Sequence, residues 1–148
     1  MARRDIQVQQ AKDFFRTVDY LVTRPDIDKD RIGYYSLSMG AYFGPIPVSL
    51  EPRIKVAVFA SGGLRYSGPA EIQPANFAPH VKVPVLLVNG KNDFQNPPGA
   101  PERMLELLGT PQEHKKLVKL EGGHVPNDRL SVIRLVLDWY DKYLGAPR

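Results

Sequence analysis

The chain has 148 residues, 43% hydrophobic and 24% charged, a balance that suits one globular domain with its own core and excludes a disordered chain. It contains no run of about 18 apolar residues, and its polar start, Met1 to Gln10, has no apolar signal core, so neither a membrane partner nor export is expected and the cytoplasm is the expected compartment. The absence of cysteine removes disulfides, thiol nucleophiles and thiolate metal sites, and the net charge of +4 is too scattered, with only Arg3-Arg4 and Lys115-Lys116 as basic pairs, to suggest a nucleic-acid partner.

In chain order, Ala11, Phe14, Phe15, Val18, Leu21 and Val22 recur at helical spacing and predict an amphipathic helix over residues 6–23, ended by Arg24-Pro25-Asp26. Asp26, Asp28 and Asp30 imitate the start of a calcium loop. Arg31 stands where that loop needs Gly, and Leu37 where it needs Glu, so the acids are read as turn formers. A strand is predicted from Arg31 to Ser36. A helical run follows from about Met39, with Pro45 and Pro47 expected to kink or stop it. Val56–Ala60 and Val83–Asn89 read as buried strands, Pro101–Leu108 as a helix closed by Gly109, and Lys116–Leu120 as a fourth strand. The last helix carries Ile133, Val136, Leu137, Tyr140 and Leu144 on one face, with Gly145 and Pro147 as its stop. Strands alternating with helices predict an α/β fold with a parallel sheet, whose sites lie at the carboxyl ends of the strands.

Three residues able to do chemistry follow strand ends. Ser38 sits in Ser36-Leu37-Ser38-Met39-Gly40, a small-x-Ser-x-Gly pattern between strand and helix. A sharp nucleophile turn needs small residues two before and two after the serine. The backbone N–H of Met39, at a helix start, would serve as an oxyanion donor. Asp93 follows the third strand, and His124 follows the fourth after Glu121-Gly122-Gly123. Taken singly, each has an ordinary reading as cap, turn former or surface residue. Together, in the order Ser, Asp, His, they form the pattern of an α/β-hydrolase triad, with Ser38 as nucleophile, His124 as base and Asp93 as the acid that orients it.

The runs Tyr35–Ala41, Val83–Gly90 with Asp93, and Glu121–His124 resemble the dienelactone-hydrolase and prolyl-oligopeptidase-like branch of the α/β-hydrolases, and Asp26–Ile32 resembles the link before its nucleophile strand. The nearest likeness is to hydrolase domains at the C-terminus of some bacterial multidomain proteins. The resemblance implies a serine hydrolase without metal or organic cofactor. It also implies a departure: about four more strands normally precede the nucleophile strand, and a loop after an early one supplies the second oxyanion donor. Only one helix precedes Arg31 here. The expectation is therefore a truncated α/β-hydrolase fold forming a single domain over residues 1–148, about four parallel strands flanked by helices, similar to the C-terminal half of a bacterial carboxylesterase.

The expected function is hydrolysis of a small-molecule, short-chain carboxylic ester through an acyl-enzyme. The interval from Gly62 to Lys82 is too short for a lid, which predicts an open site walled by Leu64, Tyr66, Phe77 and Phe94. Two alternatives remain: a non-catalytic hydrolase-like domain used for oligomerisation or ligand binding in a larger protein, and a peptidase or amidase. His80 and His114 are read as structural or solvent-facing, Trp139 as packing, and Tyr34 and Tyr35 as core. The nucleophile strand lacks its earlier neighbour, so an open sheet edge and an apolar flank predict a homodimer or higher homo-oligomer.

Overall fold

The computed structural model describes residues 3–65 and 68–146. Its elements are α1 (Arg3–Leu21), β1 (Ile32–Leu37), α2 (Met39–Phe43), α3 (Pro45–Leu50), β2 (Ile54–Ala60), α4 (Pro74–Phe77), β3 (Val85–Gly90), α5 (Ala100–Leu107), β4 (Lys115–Leu120) and α6 (Arg129–Leu144). The four strands form one sheet in the order β1-β2-β3-β4, every neighbouring pair parallel. This is the expected arrangement of about four parallel strands flanked by helices.

The register explains the two-sided core. Along β2 and β3, Ile54, Ala57, Phe59, Val85 and Leu87 join Val18, Ala41, Val48 and Met104 on the face covered by α1 to α5. Val56, Val58, Leu86 and Val88 point the other way, onto Trp139 and the flanking side chains of α6. A strand buried on both faces reads as a continuous apolar run, as these two do. Trp139 is packing, as expected, and Tyr34 packs against the core with Phe14 and Phe59 at its edges.

Several boundaries differ from the sequence reading for local reasons. β3 starts at Val85 because the carbonyl of Val83 is taken by the Thr110 hydroxyl at 2.7 Å. The helical run after Ser38 breaks into α2 and α3 at Gly44, because Pro45 has no N–H to continue the first ladder and instead opens the second. The last helix, whose start the sequence reading left open, begins at Arg129, where Asp128 caps it by accepting from the Ser131 N–H at 3.0 Å. On that helix Ile133 and Leu137 are exposed rather than buried, and Tyr35 of β1 is exposed where the sequence reading places it in the core. α6 packs on β1 only near Gly33, and Tyr35 and Ile133 line the open cleft between the far end of the strand and the start of the helix. No helix among the described residues is long and apolar enough to cross a membrane.

Candidate active site

The chain leaves β1 by way of Ser38, whose φ of 55° and ψ of −113° are sterically costly for a residue with a side chain. The turn is held by the Ser38 N–H, which donates to the Ala60 carbonyl at 2.8 Å. It also explains the small residues around the serine: a Cβ placed on Gly40 would come within 3.3 Å of the Ser36 Cβ, so the two flanking positions meet across the turn. Ser36 is buried there. α2 begins at the next residue, so the Met39 N–H stands in the first turn of a helix, where intrahelical acceptors are lacking.

β3 and β4 deliver the other two groups on loops that clasp each other. Lys91 N–H donates to the Leu120 carbonyl at 2.8 Å and Asn92 N–H to the Gly122 carbonyl at 3.0 Å. Gly90 must be glycine, since its Cβ would lie 1.7 Å from the Gly123 carbonyl oxygen. Gly122 adopts φ 135°, open to glycine alone, and so turns the chain to bring His124 inward.

His124 Nε2 lies 2.7 Å from Ser38 Oγ, and His124 Nδ1 lies 2.9 and 3.0 Å from the two oxygens of Asp93. A carboxylate can only accept, so Nδ1 carries the proton and Nε2 is left to accept from the serine hydroxyl. The side chains of His124 and Asp93 are only 11% and 5% exposed. Burial pushes the Asp93 carboxyl up. Hydrogen bonds from His124, from the Asn96 side chain and from the Gln95 N–H outweigh it and hold the group below the ordinary carboxylate range. A hydroxyl beside a neutral imidazole, itself held by a buried carboxylate, can lose its proton to the ring as it attacks a carbonyl carbon.

The expected substrate walls fare differently. Leu64 is 1% exposed and lies in the core, so it offers no wall to a ligand: the tight approach of Gly62 to Ala41 and Gly63 to Ala100 draws this segment inward. Phe77 is half-buried on α4, and Phe94 is 84% exposed beside the His124 loop. Tyr66 lies outside the described residues. None of the three described walls lines the two cavities that flank the serine turn. One, of about 230 Å³, lies between α1 and the turn, lined by Phe14, Tyr34, Met39, Phe43 and Ile46 among others. The other, of about 360 Å³, lies between β1 and the start of α6, lined by Tyr35, Leu37, Ser61, Val125, Arg129 and Ile133 among others.

Other side chains settle into structural roles. Asp128 is occupied as a helix cap, His114 bonds the Tyr143 hydroxyl at 3.2 Å, and His80 is exposed. Asp28 accepts from the Asp30 N–H and from Arg31, shaping the turn before β1. Among the described residues, no group of three or more His, Asp or Glu is placed to hold a metal ion. Sequence reasoning missed Asn96, buried beside Asp93, and Arg65, which bonds it. Both follow strands by several residues of irregular chain, and no periodicity or motif marks them.

Comparison with known proteins agrees with this architecture. No curated protein matches the chain. A cold-adapted esterase from an Arctic intertidal metagenomic library superposes with a TM-score of 0.78 at 22% identity, over 93% of this chain and 59% of its own. An acetyl xylan esterase from Paenibacillus sp. R4 gives 0.78 at 19% identity, over 92% and 52%. A protein provisionally named a dienelactone hydrolase, from Klebsiella pneumoniae subsp. pneumoniae MGH 78578, gives 0.78 at 19%, over 93% and 62%. The chain thus spans less than two thirds of each of these structures. Residues 37–133, which hold Ser38, Asp93 and His124, match the model of one family, and on that match the chain belongs to the serine hydrolase (FSH1) family, within the α/β-hydrolase superfamily.

Proposed function

We propose that this chain is a serine esterase that cleaves short-chain carboxylic esters through an acyl-enzyme. The observation that carries this reading is the unbroken hydrogen-bond chain from Ser38 through His124 to Asp93. Ser38 Oγ attacks the ester carbonyl carbon while His124 Nε2 takes its proton. The developing oxyanion accepts from the Met39 N–H. Collapse of the adduct breaks the bond to the alkoxy group, which leaves with the proton from His124. Water then gives a proton to the same nitrogen and attacks the acyl carbon, releasing the carboxylic acid and restoring Ser38. Asp93 holds the Nδ1–H tautomer throughout and balances the imidazolium charge. The ester-cleaving neighbours support the choice of substrate, and the short interval from Gly62 to Lys82, with no long helix among its described residues to form a lid, supports a small, soluble ester.

A fluorophosphonate probe tests the nucleophile directly. It is expected to add one phosphonyl group at Ser38, read by peptide mass, and p-nitrophenyl acetate or butyrate to be hydrolysed. Ser38→Ala abolishes both. Equal hydrolysis by Ser38→Ala refutes Ser38 as the nucleophile, and a wild-type chain inert to probe and ester alike leaves a non-catalytic domain. A clear preference for long-chain over butyrate esters refutes the short-chain part.

A further inference from the structure

The geometry points to Asn96, locked in orientation by Arg65, as a positioning residue that aims the Asp93 carboxylate at His124. The inference rests on the esterase reading for its kinetic consequence, though not for its structural one. Asn96 is buried. Its Nδ2 donates to Asp93 Oδ2 at 2.7 Å and to the Ser61 carbonyl at 3.1 Å. Its backbone N–H reaches Asp93 Oδ1 at 3.3 Å. Its Oδ1 accepts from Arg65 Nε at 3.2 Å and from Arg65 Nη2 at 3.0 Å.

A side-chain amide can present either end to a neighbour, and only one end suits a carboxylate. Flipped, Asn96 would put oxygen against oxygen at Asp93. Arg65 forbids the flip, because a guanidinium is donor only and must face Oδ1. The amide end left over must then face Asp93. Arg65 is held in turn: its carbonyl accepts from the Tyr42 hydroxyl at 2.7 Å, and Tyr42 belongs to the helix that follows Ser38. The second anchor, Ser61, is the residue after Ala60, whose carbonyl holds the Ser38 N–H. Through these contacts the loop carrying the acid is referenced to the turn carrying the serine. Both ends of the relay keep their spacing although they come from strands β1 and β3, which are not neighbours in the sheet. The Asn96 hydrogen bond also favours the ionised form of Asp93.

The test uses Asn96→Leu, Arg65→Met and the double variant, with Arg65→Lys as the conservative control. Asn96→Leu is expected to lower kcat on the order of ten- to hundredfold with KM little changed, as when groups that orient a reactive ligand are removed. Arg65→Met produces a smaller loss in the same parameter, and Arg65→Lys recovers part of it. Because Arg65 acts through Asn96, the double variant is no worse than Asn96→Leu, whereas independent structural damage would multiply. Carboxyl ¹³C NMR supplies a readout that needs no turnover: the Asp93 titration moves to higher pH in Asn96→Leu and, less far, in Arg65→Met. If Asn96→Leu fails to fold, Arg65→Met at the more exposed end of the network carries the same readout. An unmoved Asp93 titration in a folded variant, or multiplicative kinetic losses, overturns the inference. A protein that hydrolyses no ester yet shows the titration shift refutes the esterase reading and leaves the positioning role standing.

Discussion

At Ser38 the backbone is held at φ 55°, and the conformation persists because Ala60, Ser36 and Gly40 leave the turn no easier path. Asp93 shows the complementary case of a buried charge kept ionised by donors instead of by solvent. Its carboxyl is held below the usual range in the folded protein, so its contribution to stability is full above the unfolded value, about 4 for aspartate, and is lost as pH falls through the lower, folded value. Asp93→Asn removes that contribution and turns one oxygen of the pair into a donor facing Nδ1. We expect ester turnover to fall on the order of 10⁴-fold at neutral pH, by analogy with other triads. Its melting temperature should fall below that of the unaltered chain at neutral pH, with the gap closing as pH is lowered through the folded value. A gap that does not change with pH would show that the Asp93 carboxyl titrates alike in the folded and unfolded chain. That Ser38, Asp93 and His124 come together was legible from sequence because each stands a few residues beyond a strand in the order Ser, Asp, His, with small residues around the serine and two glycines before the histidine. Asn96 and Arg65 were not, because what matters about them is a pairing across the irregular interval between β2 and α5, and such a pairing leaves no trace in local spacing.

The elements that carry these residues were legible where burial leaves a continuous apolar run. Ile54–Ala60 and Val85–Gly90 are apolar on both faces, and the structure buries both faces. α6 is the instructive miss: its apolar residues outnumber those that one face can hold, so the sequence pattern could not tell Val136, which packs inward, from Ile133 and Leu137, which do not. The loops after β3 and β4 approach each other most tightly at Gly90. Gly90→Ala would drive its methyl group into the Gly123 carbonyl, and separating the loops would pull His124 away from Ser38. We expect a loss of about 1–3 kcal/mol in stability, the usual cost of overpacking. Esterase activity should fall much further than the lost stability explains, because the histidine is misplaced in molecules that are still folded. Denaturant melts and kinetics on the same samples separate the two effects. A variant destabilised yet fully active per folded molecule would show that the clasp is dispensable for the site.

At the scale of the molecule, what stands out is the side of the sheet that the described elements leave bare. Among the described residues β1 pairs only with β2, and no strand is seen on its other edge. Next to that edge Tyr35 is 50%, Ile133 52% and Leu137 54% exposed, and Tyr35 and Ile133 share the larger cavity with Leu37 and Val125. An open edge backed by apolar side chains is a template for another strand, and covering it recovers roughly 25 cal/mol for each Å² of apolar surface removed from water. A second copy meets the requirement with no further component: two β1 edges related by a two-fold axis run antiparallel, and the same apolar patch then faces itself across the axis. We therefore expect the chain to associate as a two-fold dimer, with a sedimentation coefficient that rises with concentration toward the dimer value. Tyr35→Lys with Ile133→Lys places like charges on both sides of that axis and is expected to return the monomer. Both side chains line the cavity beside the serine turn, so the double variant is read for its oligomeric state alone. A wild-type chain that sediments as a monomer across the whole concentration series would show that the edge is tolerated in water, and the dimer would have to be abandoned.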